Sequence, residues 1–185
     1  MVGGRSILHE MCQHPYTFMR TKNLMKTPKS ALRKKARRNA APKTHKSKFT
    51  VRRIVNWGDC DPAGFIYTPR VLDYACETID SWFREELSAS WWQLKSSGKL
   101  GLPTVNAVCD FISIVRPDQS LELNLYIREI GRSSIVFEVE GMATGNRLAF
   151  RVKLVSCAIE MVKHRATRLP DWMRKKCEAY KRCCT

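Results

Sequence analysis

The stretch PRVLDYACETIDSWFREEL, residues 69–87, is free of Gly and internal Pro, and everything beyond it up to about residue 163 reads as strand with no further helix between the strands. That arrangement narrows the possible folds more than any other feature of the chain. Leu72, Ala75, Cys76, Ile79, Trp82, Phe83 and Leu87 recur at steps of three and four, which predicts a helix of about five turns with a wide apolar stripe. Thr68 suits an N-cap and Pro69 the first turn. Before the helix, FTVRRIVNW alternates as a strand should. After the connector SASWWQLKSSGKLGLP come TVNAVCDFISIV, SLELNLYIREI, SSIVFEVEGMA and RLAFRVKLVSCAIEMV, separated by turn signals at Arg116-Pro117-Asp118, Gly131-Arg132 and Thr144-Gly145-Asn146. In the second of these, Leu121, Leu123, Leu125 and Ile127 alternate with Glu122, Asn124, Tyr126 and Arg128, so one face is wet. The segment PDWMRKKCEAY predicts a short terminal helix. Parallel winding needs helices between strands, and there are none, so the expectation is an α+β fold: one long central helix on an antiparallel sheet of about five strands.

Charge divides the chain. Residues 1–48 hold 13 of the 33 basic residues and one of the 17 acids, so the net charge of +16 splits into +12 there and +4 in residues 49–185. KTPKSALRKKARRNAAPKTHKSK, residues 26–48, has almost nothing to bury and is expected to be a disordered basic tail. It reads as a solvated appendage, as an arm for nucleic acid or an anionic surface, as an Arg-rich transit segment, or as an extension upstream of a start at Met11, Met19 or Met25. The domain expected to fold is then residues 49–185. No run of apolar residues is long enough to span a bilayer, and no secretory h-region precedes the domain. Eight cysteines at scattered spacings, without C-x-x-C, suit buried thiols in a reducing cytoplasm, and no pattern of metal ligands emerges.

Elimination constrains the chemistry. The histidines are His9, His14, His45 and His164, so residues 46–163 contain none, and a Ser-His-Asp or Cys-His machine within that core is excluded. Phosphate-loop and dinucleotide glycine motifs are absent. Polar groups concentrate instead in Trp57-Gly58-Asp59-Cys60-Asp61-Pro62-Ala63-Gly64, just ahead of a helix start, where unpaired N–H groups suit a developing oxyanion. Asp61, followed by Pro62 and a flexible Gly64, can be presented as nucleophile or as base for water, with Asp59 turned inward to hold backbone amides. On spacing alone, both aspartates read first as ordinary loop-capping residues. Cys60, without a core histidine to activate it, reads as a packed thiol.

GDCDPAGFIYTPRVLDYACETIDSWF, Gly58 to Phe83, with its G-D-x-D-x-x-G loop, the aromatic at Tyr67 and the helix-opening Pro, resembles the hotdog-fold acyl-CoA thioesterase superfamily, in particular its 4-hydroxybenzoyl-CoA thioesterase branch. The likeness continues more loosely through GLPTVNAVCDF, the long strands and Pro170, and so covers about residues 49–180. The resemblance implies a thioester hydrolase with Asp61 as catalytic carboxylate, the Tyr67 and Thr68 N–H groups polarising the thioester carbonyl, and a site shared between subunits of a homodimer or homotetramer. It implies coenzyme A phosphates held by Arg128 and Arg132, with Ser133 and Ser134 as weaker donors, and no metal or redox cofactor. Asp59 and Gly64 shape the binding loop. Cys76 stands where the hydroxybenzoyl enzyme carries an Asp facing the acyl pocket, which puts a 4-hydroxybenzoyl substrate in doubt. Two rival readings remain at this level: a thioesterase acting on acyl groups of an acidic carrier protein, and a non-catalytic hotdog protein binding acyl-CoA or, through the tail, nucleic acid.

Overall fold

The computed structural model describes residues 48–184; the expected basic tail lies outside these residues. Five strands form one antiparallel sheet: β1 (Phe49–Ile54), β3 (Thr104–Phe111), β4 (Ser120–Ile130), β5 (Ser134–Ala143) and β6 (Arg147–Cys157), in the order β1-β4-β5-β6-β3. The period-two alternation read in the sequence decides which face is buried. Leu121, Leu123, Leu125 and Ile127 of β4 point inward with Ile135, Phe137 and Val139 of β5 and Phe150, Val152 and Leu154 of β6, all buried. Their neighbours build a polar outer face, where Thr50 meets Asn124, Arg52 meets Glu122, Arg128 meets Glu138 and Arg151 meets Glu140.

Helix α1 (Thr68–Trp82) lies across the inner face, and its last turn opens into a π-helical turn, Phe83–Leu87, which ends at Ser88 with φ 55°. The buried stripe is Val71, Tyr74, Ala75, Thr78, Ile79 and Trp82. Leu72 and Cys76, expected in the stripe, sit half-buried on its flank, because the stripe is phased one residue earlier on Val71 and Tyr74. Trp82 is fully buried, with ring centroids of Phe83, Phe137 and Tyr180 at 5.4, 6.2 and 5.2 Å. Removing an indole of this size from water contributes about 4–6 kcal/mol as an upper bound.

The connector after α1 contains a second helix, α2 (Trp91–Gly98). Its start is a reciprocal cap: Ser90 Oγ accepts from Gln93 N at 3.2 Å, and Ser90 N donates to Gln93 Oε1 at 2.8 Å. A small second sheet follows from β2 (Leu100–Gly101), β7 (Ile159–Glu160) and β8 (Arg165–Ala166), so the final strand expected to run to residue 162 instead ends at Cys157. Helix α3 (Asp171–Cys183) buries Met173, Cys177 and Tyr180 at helical spacing. The Tyr180 hydroxyl accepts from Phe49 N at 2.9 Å and donates to Leu125 O at 2.8 Å, which fastens the beginning of β1 to β4. Among the described residues no helix is long and apolar enough to cross a membrane.

Candidate active site

The segment between β1 and α1 is built around the two aspartates. Residues Trp57–Asp59 form one 3₁₀ turn, closed by Asn56, whose N and Nδ2 both donate to Asp59 Oδ2 at 3.1 Å. The chain then reverses. Asp61 N donates to Phe65 O at 2.9 Å, Gly64 N to Asp61 O at 2.9 Å, and Cys60 bridges Ile66 in antiparallel fashion. Gly64 sits at φ 80°, a conformation in which an L side chain is strained. Ile66 N, bonded to Val115 O at 3.0 Å, anchors the returning limb, and Tyr67 N reaches Asp59 O at 2.8 Å just before α1 begins.

Within this frame the two aspartates differ sharply. The Asp59 side chain is nearly buried and receives Tyr74 Oη at 2.8 Å besides the two Asn56 donors, while Arg70 Nε stands 3.5 Å from Oδ1. Burial alone pushes its pKa up, but the hydrogen bonds from Tyr74 and Asn56, helped by Arg70, outweigh it and hold the carboxyl below the usual aspartate range. Asp59 is therefore a committed structural anion. Asp61 is half-buried; its Oδ1 accepts from Ala63 N at 2.9 Å, and Oδ2 has no partner among the described residues. One oxygen fixes the carboxylate and the other is unengaged among the described residues. Cys60, between them, is pushed up by burial and by the surrounding Asp59, Asp61 and Asp118, and stays a thiol; Cys76 is pushed up by burial and by Asp73 and Glu77.

The helix start corrects one expectation. Tyr67 N–H is taken by the Asp59 carbonyl, so it is not available to polarise a substrate. Thr68 N–H, the next amide along, has no acceptor among the described residues, and the following residue is Pro69, which has no N–H at all. Of the two amides read from the sequence, only that of Thr68 is open.

A second correction concerns Arg128. Its Nε and Nη2 both donate to the buried Glu138, at 3.0 and 2.6 Å, and its guanidinium lies 4.4 Å above the Tyr126 ring on the outer sheet face. It is engaged there rather than free for a phosphate. Arg132 is exposed at the β4–β5 turn; its carbonyl accepts from Leu169 N, and Ser133 O accepts from Ala158 N. Ser134 packs over Gly131. This turn lies at the opposite end of the sheet from the aspartate loop, since Ser120 pairs with Ile54 at one end of β4 and Ile130 with Ile135 at the other. Eleven residues of strand span roughly 33 Å, so one chain does not bring Arg132, Ser133 and Ser134 to Asp61.

Three groups around the loop escaped the sequence reading: Asn56, Tyr74 and Arg53. Arg53 pairs with Glu77 and lies 4.0 Å above the Tyr74 ring. A signal existed only for Asn56, a polar residue three positions before an Asp at a chain reversal.

A model of the thioesterase-like superfamily matches residues 55–177, the span from the end of β1 into α3. The chain belongs to this superfamily. Its hotdog fold agrees with solved relatives: a thioesterase-superfamily protein from Jannaschia sp. CCS1 shares 30% identity over 71% of this chain and 91% of its own, with a TM-score of 0.66. Slr0204 of Synechocystis, a 1,4-dihydroxy-2-naphthoyl-CoA thioesterase, shares 25% over 70% of this chain and 95% of its own, also at 0.66. A 4-hydroxybenzoyl-CoA thioesterase variant, 22% identical over 69% and 96% of the two chains, superposes at 0.64 and supports the fold alone. No curated protein sequence is similar enough to count as a relative. This thioesterase is a thioester hydrolase with its polar loop at the helix start, where the Thr68 amide and Asp61 Oδ2 have no partner among the described residues.

Proposed function

We propose that this thioesterase hydrolyses an acyl-CoA to a free acid and coenzyme A, with Asp61 as the reacting carboxylate and Thr68 N–H as the oxyanion donor. The observation that carries the reading is the pairing of roles in one short loop. Asp59 Oδ2 holds three donors and the Asp59 carbonyl takes Tyr67 N–H, while Asp61 Oδ2 and, at the helix start, Thr68 N–H have no partner among the described residues. The N-terminus of α1 adds its partial positive charge to whatever oxyanion Thr68 receives. Asp61 then attacks the thioester carbonyl, or takes a proton from the water that does. On the first route the acyl carbon exchanges its sulfur for an Asp61 oxygen, and water then cleaves this anhydride to the free acid and restores the carboxylate; on the second, the water oxygen displaces sulfur directly, and on both the thiolate of coenzyme A leaves and is protonated from water. Protein groups, water and the thioester suffice for this chemistry.

The working unit in this proposal is at least a dimer. Strand β3 is an edge with its main chain unpaired on one side and with Val105, Val108 and Phe111 exposed. A second copy of β3, paired antiparallel about a two-fold axis, continues the sheet. It also brings the Phe111 end of one copy, which is the aspartate-loop end, beside the Thr104 end of the other, where Arg132, Ser133 and Ser134 lie. Such a site spans two copies, with the exposed Arg132 turn offered to coenzyme A phosphates. Thiol release from short, long and aromatic acyl-CoAs tests the proposal. Wild type is expected to turn over at least one class, and Asp61→Asn to lose several orders of magnitude in kcat. Equal turnover by the two forms rejects the assignment.

A further inference from the structure

The Asp59 carboxylate has three donors on one oxygen, and they are not equivalent. Asn56 N and Nδ2 belong to the same short turn as Asp59, so they shape the turn without locating it. Tyr74 Oη comes from the second turn of α1, 15 residues away, and its ring is 1% exposed. The ring is itself immobilised: Arg53 of β1 lies over its face at 4.0 Å and pairs with Glu77, one turn further along α1. Packing requires only a ring here, and a phenylalanine supplies one. The hydroxyl adds a tie between the body of the helix and the loop that precedes it.

We infer that Tyr74 is a positioning residue for thioester hydrolysis, holding Asp59 so that the Asp59 carbonyl takes Tyr67 N–H and presents Thr68 N–H to the substrate oxygen. The chain of contacts runs Glu77, Arg53, Tyr74, Asp59, Tyr67 and then the open amide of Thr68, and it joins β1, the loop and α1 at one point. Tyr74 touches no reacting atom. It acts by fixing where the oxyanion donor stands, and misplacing such a group by about 1 Å lowers the rate roughly 100-fold. With Asn56 still in place the displacement is smaller, and the expected loss is about tenfold. This inference rests on the proposed hydrolysis with Asp61 and Thr68.

The experiment measures kcat and KM for Tyr74→Phe, Asp59→Ala, the double variant and Asp61→Asn, using the acyl-CoA best hydrolysed by wild type. Assays are run well below the lowest melting temperature in the set, with folding followed by circular dichroism. Tyr74→Phe is expected to lose about tenfold in kcat with KM within twofold, and the double variant is expected to be no slower than the slower single, as one shared contact requires. A merely structural role lowers the melting temperature and leaves kcat of the folded protein alone. A kcat loss under threefold, a change confined to KM, or losses that multiply in the double variant overturn the inference. Should Tyr74→Phe fail to fold, Asp59→Ala removes the same contact from its acceptor side, and an unchanged kcat there is equally fatal. Retained activity in Asp61→Asn defeats the hydrolytic reading itself, and the role of Tyr74 falls with it; loss in Asp61→Asn with none in Tyr74→Phe defeats only the inference about Tyr74.

Discussion

Replacing Gly141 by alanine tests the packing logic of the sheet at the place where it is tightest. Gly141 faces inward on β5 opposite Phe150 of β6, and the ring of Phe150 lies directly over it. A Cβ built on Gly141 stands 2.3, 2.5 and 2.7 Å from three ring carbons, against an ordinary carbon–carbon contact of about 3.5–4.0 Å. The ring must therefore move by about 1 Å, yet Phe150 is 1% exposed and has packed neighbours to move into. Overpacking of this kind destabilises by about 1–3 kcal/mol, partly offset by about 0.4–1 kcal/mol from the stiffer unfolded chain of alanine. A net loss of about 1–2 kcal/mol is expected, seen as a lower urea midpoint with unchanged slope, measured at one fixed protein concentration. Phe150→Leu, which takes the ring away, should then cost at least about 1 kcal/mol less in the Gly141→Ala background than in wild type. Gly141→Ala as stable as wild type, or strictly additive effects in the pair, refutes the steric account.

Two further outcomes follow from the site and the edge. Because Asp59 is held below the usual aspartate range, its contribution to stability is complete above about pH 4, the unfolded value, and is lost as pH falls through the lower folded value. Wild type should thus lose more stability between pH 5 and pH 3 than Asp59→Asn, measured by urea unfolding, and equal losses reject the assignment. Placing a charge on the exposed β3 edge with Val108→Lys should shift the protein toward monomer at micromolar concentration and lower turnover along with it, checked by light scattering beside the thiol assay; a monomeric wild type with full activity rules out the shared site.

Much of this molecule is legible in its residues because burial imposes a period. The alternation in residues 121–128 announced both faces of β4, and the Gly-free run from Pro69 announced α1, since each pattern expresses a single apolar surface. What stayed hidden depends on contacts between distant segments. Tyr74 carries a ring that belongs in any apolar stripe, and only its meeting with Asp59, 15 residues earlier, reveals the hydroxyl's use. The engagement of Tyr67 N–H is a backbone event with no side-chain signature. Arg128 looked free because its partner Glu138 is ten residues on, brought beside it through a β4–β5 register that shifts between Ile127 and Glu129. Helix α2 was read as a connector, because the Ser90–Gln93 reciprocal cap that opens it has too short an apolar pattern behind it to stand out.

The Tyr180 hydroxyl, wedged between Phe49 N and Leu125 O, links residues 131 positions apart and has a consequence for how the protein is made. On the ribosome, β1 emerges long before β4, its only neighbour in the sheet among the described residues, and longer still before the tyrosine that fastens its first residue. At roughly 5–20 residues per second, the interval between Phe49 and Tyr180 is about 7–26 s. Until β6 is complete at Cys157, the nascent chain holds β1 and the apolar stripe of α1 without the whole sheet that covers them. The Tyr180 tie comes later still, on α3, so the first strand of this sheet to be synthesised is among the last to be secured.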